Sequence, residues 1–329
     1  MPALKSRNPN LVLVGLEEGR FSPVEAIQAL RASHDSHARR RHLKTEAPDS
    51  AEWKLNDVLS ELDSLVGLSA VKALVRELVA YVRIQRIREM RQLASEPLVL
   101  HMVFSGNPGT GKTTCARLMG KIFREMGVLE KGHLIERERA DLVGEYIGHT
   151  AQKTRDQIKK ALGGILFIDE AYSLATGGDK DFGKESISTL IKAMEDNRNR
   201  FIVILAGYRD EMTRFIQSNP GIRSRFPIHI GFPDYTTGEL MLIADLMLGK
   251  RDYRMDLAAR ARLEVVLSRN SGSDSDYSGN ARLVRNIIER AIRRQALRLV
   301  DGKSLTRDEL MLIRREDIEN NYEAVHCVG

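Results

Sequence analysis

The segment GNPGTGKT at 106–113 spaces glycines, a lysine and a threonine as GxxxxGK[ST], between the apolar run VLHMVF and a helical pattern. That spacing suits phosphate chemistry. Glycine at 106, 109 and 111 lets the backbone aim successive N–H groups at phosphate oxygens, helped by the positive end of the following helix. Lys112 is then placed to reach the β- and γ-phosphates and the Thr113 hydroxyl to meet Mg²⁺. Gly106, Asn107, Pro108, Gly109, Thr110, Gly111, Lys112 and Thr113, with Thr114 behind them, form the candidate cradle.

A second group lies in GGILFIDEAYSLA, an apolar strand pattern ending in Asp169 and Glu170. On a strand adjacent to the first, Asp169 would share a Mg²⁺ with Thr113, and the next carboxylate would polarise an attacking water. The tandem acids favour ATP hydrolysis coupled to motion. GTPase switches typically position water with a glutamine, and small-molecule kinases pass the phosphoryl group to an ordered acceptor.

These residues need a scaffold. Buried-strand patterns fall at 99–104, 133–138, 165–168, 201–205 and 228–232, separated by helical patterns, which implies a parallel sheet covered by helices on both faces. Before them, 51–90 has helical periodicity broken at Gly67, with Ser69 as the expected cap of the next helix. Past Pro233 the pattern reads as helices only, at 236–249, 256–269 and 280–299. The expected organisation is an N-terminal extension at 1–50, an α/β nucleotide-binding domain at 51–233 and a small all-helical domain at 234–329.

Composition narrows the class. The chain has 329 residues, 42% hydrophobic and 29% charged, as in a soluble globular protein. The net charge is +6, but the 51 basic and 45 acidic residues are interleaved, which weighs against nucleic acid as the partner. Cys115 and Cys327 form no CxxC pair, so neither a disulfide framework nor a thiolate zinc site is expected, and a reducing cytoplasm fits. The apolar run near the start is too short for a signal peptide core, and no segment is long enough for a membrane span. His34, His37 and His42 sit in a basic stretch without a completing ligand and read as a solvated linker.

The loop at 106–113, the strand ILFIDEAYSL, the later SNPGIRSRF and the segment GNARLVRN together resemble an AAA+ ATPase of the CbbX-like group, over about residues 65 to 300. The resemblance implies a P-loop core followed by a helical lid, a ring of subunits, hexameric in expectation, and ATP with Mg²⁺ at each interface. It implies Arg225 as an arginine finger entering a neighbour's site, with Arg223 facing the same way if that segment is a strand. Arg282 is similar to the lid's sensor arginine, which contacts the γ-phosphate, and Arg285 would support it. Val66, Gly67 and Leu68 match the apolar wall around adenine.

One position departs from the wider pattern: Tyr208 stands where many members carry an asparagine that orients water. In GEYIGHT, Tyr146, Ile147 and Gly148 resemble a pore loop that grips an extended polypeptide, with the glycine-rich TGGDKDFGKES as a second pore loop. The group includes sporulation proteins and Rubisco activases. The implied function is therefore ATP-driven remodelling of a protein client, connected with endospore formation or with activase-like work. A nucleic-acid loader or initiator and a scaffold with vestigial hydrolysis are the competing classes. The absence of a recognisable helix-turn-helix, OB or zinc pattern weighs against the former, and Glu170 and Arg225 against the latter.

Overall fold

The computed structural model describes residues 48–94, 99–146, 148–176, 182–198, 200–270, 279–300, 302 and 305–318. The chain divides into two compact units, Met1–Asn56 and Asp57–Gly329, and the site lies in the second. The basic stretch at 34–42, residues 177–181 of the second pore-loop candidate at 176–186, Ile147 and Cys327 lie outside the described residues, and the candidate's last four residues, Gly183 to Ser186, are helical.

Five strands form one sheet: β1 (Met102–Gly106), β2 (Leu134–Arg137), β3 (Ile165–Ile168), β4 (Ile202–Gly207) and β5 (Ile228–Phe232). Their order is β2-β3-β4-β1-β5, and every pairing is parallel. The apolar runs in β3 and β4 are buried along their whole length, as a sheet covered on both faces requires. Alternation along β1 divides the core. Val103 joins Leu166, Ile168, Val203 and Leu205 on one face, whereas Phe104 packs against Phe167 and Phe232 on the other.

The order corrects one expectation. The acid-bearing β3 is not adjacent to β1, because β4 lies between them with Phe104 opposite Ala206 and Phe167 opposite Ile204. The two strands still end on the same side of the sheet, since all five are parallel. Ligand sites in such sheets form outside the carboxyl ends where the strand order reverses, here around β1.

Helices fill the connections. These are α1 (Pro48–Asp63), α2 (Ser69–Met90), α3 (Lys112–Glu125), α4 (Arg139–Leu142), α5 (His149–Ala161), α6 (Gly183–Asp196), α7 (Arg209–Ser218) and α8 (Pro220–Arg223). A 3-10 turn at Ala171–Ala175 follows β3. Helix α2 is capped differently from expectation: Leu68 is its N-cap, in a left-handed conformation at φ 56° after Gly67 at φ 63°, and Ser69 is already helical.

After β5 come α9 (Thr237–Gly249), β6 (Arg254–Met255), α10 (Leu257–Asn270), α11 (Asn280–Leu299), α12 (Arg307–Met311) and β7 (Leu312–Ile313). This region is helical with one addition, a two-residue parallel pair of β6 with β7. A pair so short carries no period for sequence reading to detect. Thr236 and Glu239 form a capping box at the start of α9. The Gln295 amide, 3% exposed, donates to the Glu309, Leu310 and Leu312 carbonyls at 3.2, 3.0 and 3.0 Å and so fixes α12 and β7 against α11. Among the described residues, no helix is long and apolar enough to cross a membrane.

Phe104 is fully buried and packs against Phe167 and Phe232. Phe104→Ala should destabilise the protein by about 3–5 kcal/mol through lost burial and the residual cavity, measurable as a lower urea midpoint.

Candidate functional site

A cleft of about 700 Å³ opens beside the ends of β1, β3 and β4. One part is the phosphate loop with Asp169, Glu170 and Tyr208; another is Ser64, Leu65, Val66 and Leu68 before α2. Tyr235, residues of α9 with its C-cap Lys250, and Arg282 and Arg285 of α11 close it from the lid side.

The loop's glycines hold backbone that other residues rarely adopt, Gly109 at φ 75° and Gly111 at φ 96°. A Cβ on Gly106 would collide with the Phe232 carbonyl, and one on Gly109 would lie 2.5 Å from the Gly279 carbonyl oxygen. Three successive carbonyls find partners on the hinge and lid side. Pro108 accepts from Asn280 Nδ2 at 3.3 Å, Gly109 from the Ala281 N–H at 3.2 Å and Thr110 from the Tyr235 hydroxyl at 3.1 Å. In a trans peptide the N–H points away from its carbonyl, so the N–H groups of Gly109, Thr110 and Gly111 face away from those partners. They continue into the N-terminus of α3, whose N-cap Gly111 supplies no side-chain cap. Such a run of unopposed donors fits a polyphosphate.

Lys112 Nζ donates to the Gly106 and Asn107 carbonyls at 2.7 and 2.9 Å, which holds its charge across the loop. Burial pulls its pKa below the ordinary lysine value; Asp169 opposes this, Arg282 adds to it and Asp234 opposes it again. The Tyr235 hydroxyl is pushed up to about 12, chiefly by burial and then by Glu239, so it remains a donor at neutral pH.

Asp169 Oδ1 accepts the Glu170 N–H at 3.0 Å, and Glu170 sits at φ 46°, a strained left-handed backbone that turns the chain out of β3. Thr113 Oγ1 lies 3.4 Å from Glu136 Oε1 on β2, a carboxylate that sequence reading had not singled out. Hydroxyl and carboxylate oxygens suit a hard cation. Among the described residues, no three His, Cys, Asp or Glu side chains form a cage for one. A divalent ion here therefore needs the ligand's own oxygens, as Mg²⁺ bound with a nucleotide has. Tyr208 caps α7 and its ring lies 6.3 Å from that of Tyr172, whose hydroxyl is pushed up to about 12 by burial and then by Glu170.

Val66 and Leu68 line the cleft, whereas Gly67 supplies the turn between them. A Cβ on Gly67 would collide with the Glu239 carboxylate.

Arg225, Arg223, Tyr146 and Gly148 lie elsewhere. Arg225 is not among the residues lining the cleft; it pairs with Glu195 at the end of α6 and donates to the Gly221 carbonyl at 3.1 Å. Arg223 closes the short helix α8, so the strand spacing that would aim it with Arg225 does not exist. Tyr146 is 67% exposed, its ring 5.7 Å from that of His149, which excludes a packed interior turn. Gly148 caps α5 at φ 84°.

Sequence reading missed Asp234, Tyr235, Lys250 and Asn280. The only signal was position: Asp234 and Tyr235 follow Pro233 at the change of pattern, and Asn280 stands in GNAR two residues before Arg282.

Family models match twice: the ATPase family associated with various cellular activities (AAA) over residues 102–234, and an AAA lid domain over 236–327. Stage V sporulation protein K of Bacillus subtilis (strain 168) is 53% identical over 271 residues, covering 82% of this chain and 84% of that one. Protein CbbX of Cereibacter sphaeroides is 47% identical over 268 residues, covering 80% and 85%. The chloroplastic ribulose bisphosphate carboxylase/oxygenase activase of Cyanidioschyzon merolae is 45% identical over 271 residues, covering 81% and 92%.

The contact at Gly109 yields a test. Gly109→Ala places a methyl group 2.5 Å from the Gly279 oxygen and 2.9 Å from the Arg282 nitrogen at a φ of 75°. It should weaken nucleotide binding by at least about tenfold, the equivalent of ~1.4 kcal/mol, in a fluorescent-nucleotide titration, with the fold retained by circular dichroism.

Proposed function

Because the chain belongs to the AAA ATPase family, in its CbbX-like group, we propose that it hydrolyses ATP with Mg²⁺ in a hexameric ring and uses the energy to remodel a protein client. The observation that carries this reading is a single cleft uniting the phosphate loop, Asp169, Glu170 and the lid arginine Arg282. Hydrolysis needs a held polyphosphate, a cation that draws charge from the phosphates and a polarised water, needs that the loop, Asp169 and Glu170 match in turn, with Arg282 as a further positive charge.

In this assignment Lys112 steadies the β- and γ-phosphates, Thr113 and Asp169 hold the ion directly and through water, and Glu170 is the general base. Tyr208 offers its hydroxyl to the water or a phosphate oxygen in place of the usual amide. Arg282 contacts the γ-phosphate from its own subunit. Arg225, outside the cleft, acts in a neighbour's site. Residues 51–233 constitute the nucleotide-binding domain, 234–329 the lid and 1–50 an extension. The described helices give no membrane span, in keeping with a cytoplasmic machine.

The exposure of Tyr146 supports a grip on polypeptide, since a flat amphipathic ring can hold backbone and side chains without demanding a sequence. The name of the Bacillus subtilis relative supports a role in endospore formation for this chain, and its 53% identity exceeds the 45% of the chloroplastic activase. A role like that activase's is the alternative client assignment.

Lys112→Ala should abolish ATP binding, whereas Glu170→Gln should bind ATP and lose turnover by about 10²-fold or more, because only the second leaves the cradle intact. Equal loss of binding in both variants would contradict these roles. ATPase rates with unfolded polypeptide and with single- and double-stranded DNA, at two salt concentrations, test the client class. Wild type should respond to polypeptide, and Tyr146→Ala should keep basal hydrolysis but lose that response. Stimulation by DNA alone that falls steeply with salt, unaffected by Tyr146→Ala, would replace the remodeller with a nucleic-acid motor.

A further inference from the structure

Four consecutive residues of the phosphate loop are held from the hinge and lid side. The Asn107 amide donates to both oxygens of Asp234, at 3.1 and 2.9 Å. Pro108, Gly109 and Thr110 offer their carbonyls to Asn280, the Ala281 N–H and the Tyr235 hydroxyl. Asn280 ties the set together. Its Nδ2 donates to Asp234 Oδ1 at 2.7 Å, and its Oδ1 accepts the Tyr235 N–H at 3.0 Å. It is 4% exposed and sits at φ 44°, a left-handed conformation that asparagine tolerates better than other non-glycine residues.

We infer that Asp234 and Asn280 form a clasp through which the lid sets the shape of the phosphate cradle, separately from any contact of Arg282 with the γ-phosphate. This rests on the reading of the cleft as a nucleotide site. A peptide unit turns as a rigid plane, so fixing the carbonyls of 108–110 fixes the directions in which the N–H groups of 109–111 point. Asn280 and Ala281 begin α11 and move with it. A lid rotation must therefore either carry the loop's N–H groups with it or break bonds to a buried amide, which is unfavourable without replacement partners. Asp234, at the hinge, joins both sides and also helps to sustain the charge of Lys112.

The clasp's hydrogen bonds to the loop end at residues 107 and 108, and the neighbouring lid bonds at 109 and 110, where the backbone would hold phosphates shared by ATP and ADP. Arg282 is assigned to the phosphate that ADP lacks. The two routes from nucleotide to lid should therefore be separable: one reports that a nucleotide is bound, the other which nucleotide it is. Asp234 and Asn280 are positioning residues in this account, acting through the loop.

The test is equilibrium binding of fluorescent ATP and ADP analogues with Mg²⁺ to the full chain. Asn280→Ala and Asp234→Ala should each weaken both nucleotides by roughly tenfold and by the same factor, the scale of losing a hydrogen bond to a charged group. The double variant should lose little more than either single one, because the two residues work as a unit. Arg282→Ala should instead weaken ATP more than ADP. If Asn280→Ala melts below the assay temperature, Tyr235→Phe serves, since it removes only the Thr110 bond and should weaken both nucleotides equally by about threefold. Folded variants with unchanged affinities, losses confined to ATP, or losses that add in the double variant would overturn the clasp. Wild type that binds neither nucleotide would overturn the nucleotide reading itself.

Discussion

A phosphate cradle made of backbone must point its N–H groups inward, so its carbonyls must point outward, and outward carbonyls that are buried need partners of their own. In this protein Asn280, the first turn of α11 and Tyr235 meet that requirement at Pro108, Gly109 and Thr110. The lid is thus part of the cradle's construction as well as a cover over it. Gly109 is glycine for the same reason: the lid backbone approaches so closely that a side chain has no room.

The sheet places the other reactive groups by a coarser rule. All five strands are parallel, so every strand end, and whatever follows it, faces one side. Lys112 after β1, Asp169 and Glu170 after β3 and Tyr208 after β4 converge although β3 and β1 are not neighbours. The convergence also balances charge. Burial lowers the pKa of Lys112, Asp169 and Asp234 oppose that shift, and Arg282 adds to it. A ligand carrying several negative charges resolves the residual excess of lysine and lid arginines in the cleft.

Much of this was legible in the chain because its chemistry is local. The phosphate loop, the acid pair and the strands Ile165–Ile168 and Ile228–Phe232 are short patterns whose meaning lies in neighbouring residues. Other boundaries shifted for a physical reason. β1 was expected at 99–104 but runs to Gly106, and β4 was expected at 201–205 but runs to Gly207, because ladder bonds continue through small or polar residues that apolarity does not mark. The clasp was illegible. Asn107 meets Asp234 across 127 positions and Asn280 meets it across 46, and nothing local to any of the three announces the contact.

The pairing of Arg225 with Glu195 sets the remaining question of how one subunit's geometry relates to a ring. In the chain alone the guanidinium is occupied at the end of α6, outside the cleft, and Glu195 is solvated and held below the usual carboxylate range by that hydrogen bond. Exposed ion pairs of this kind contribute little, since water competes for both partners. An arginine that stabilises charge on a transferring phosphoryl group is worth about 10³ to 10⁵ in rate. In the proposed finger role Arg225 would leave Glu195 for a neighbour's phosphate, and the weakness of an exposed pair keeps the cost of leaving it small.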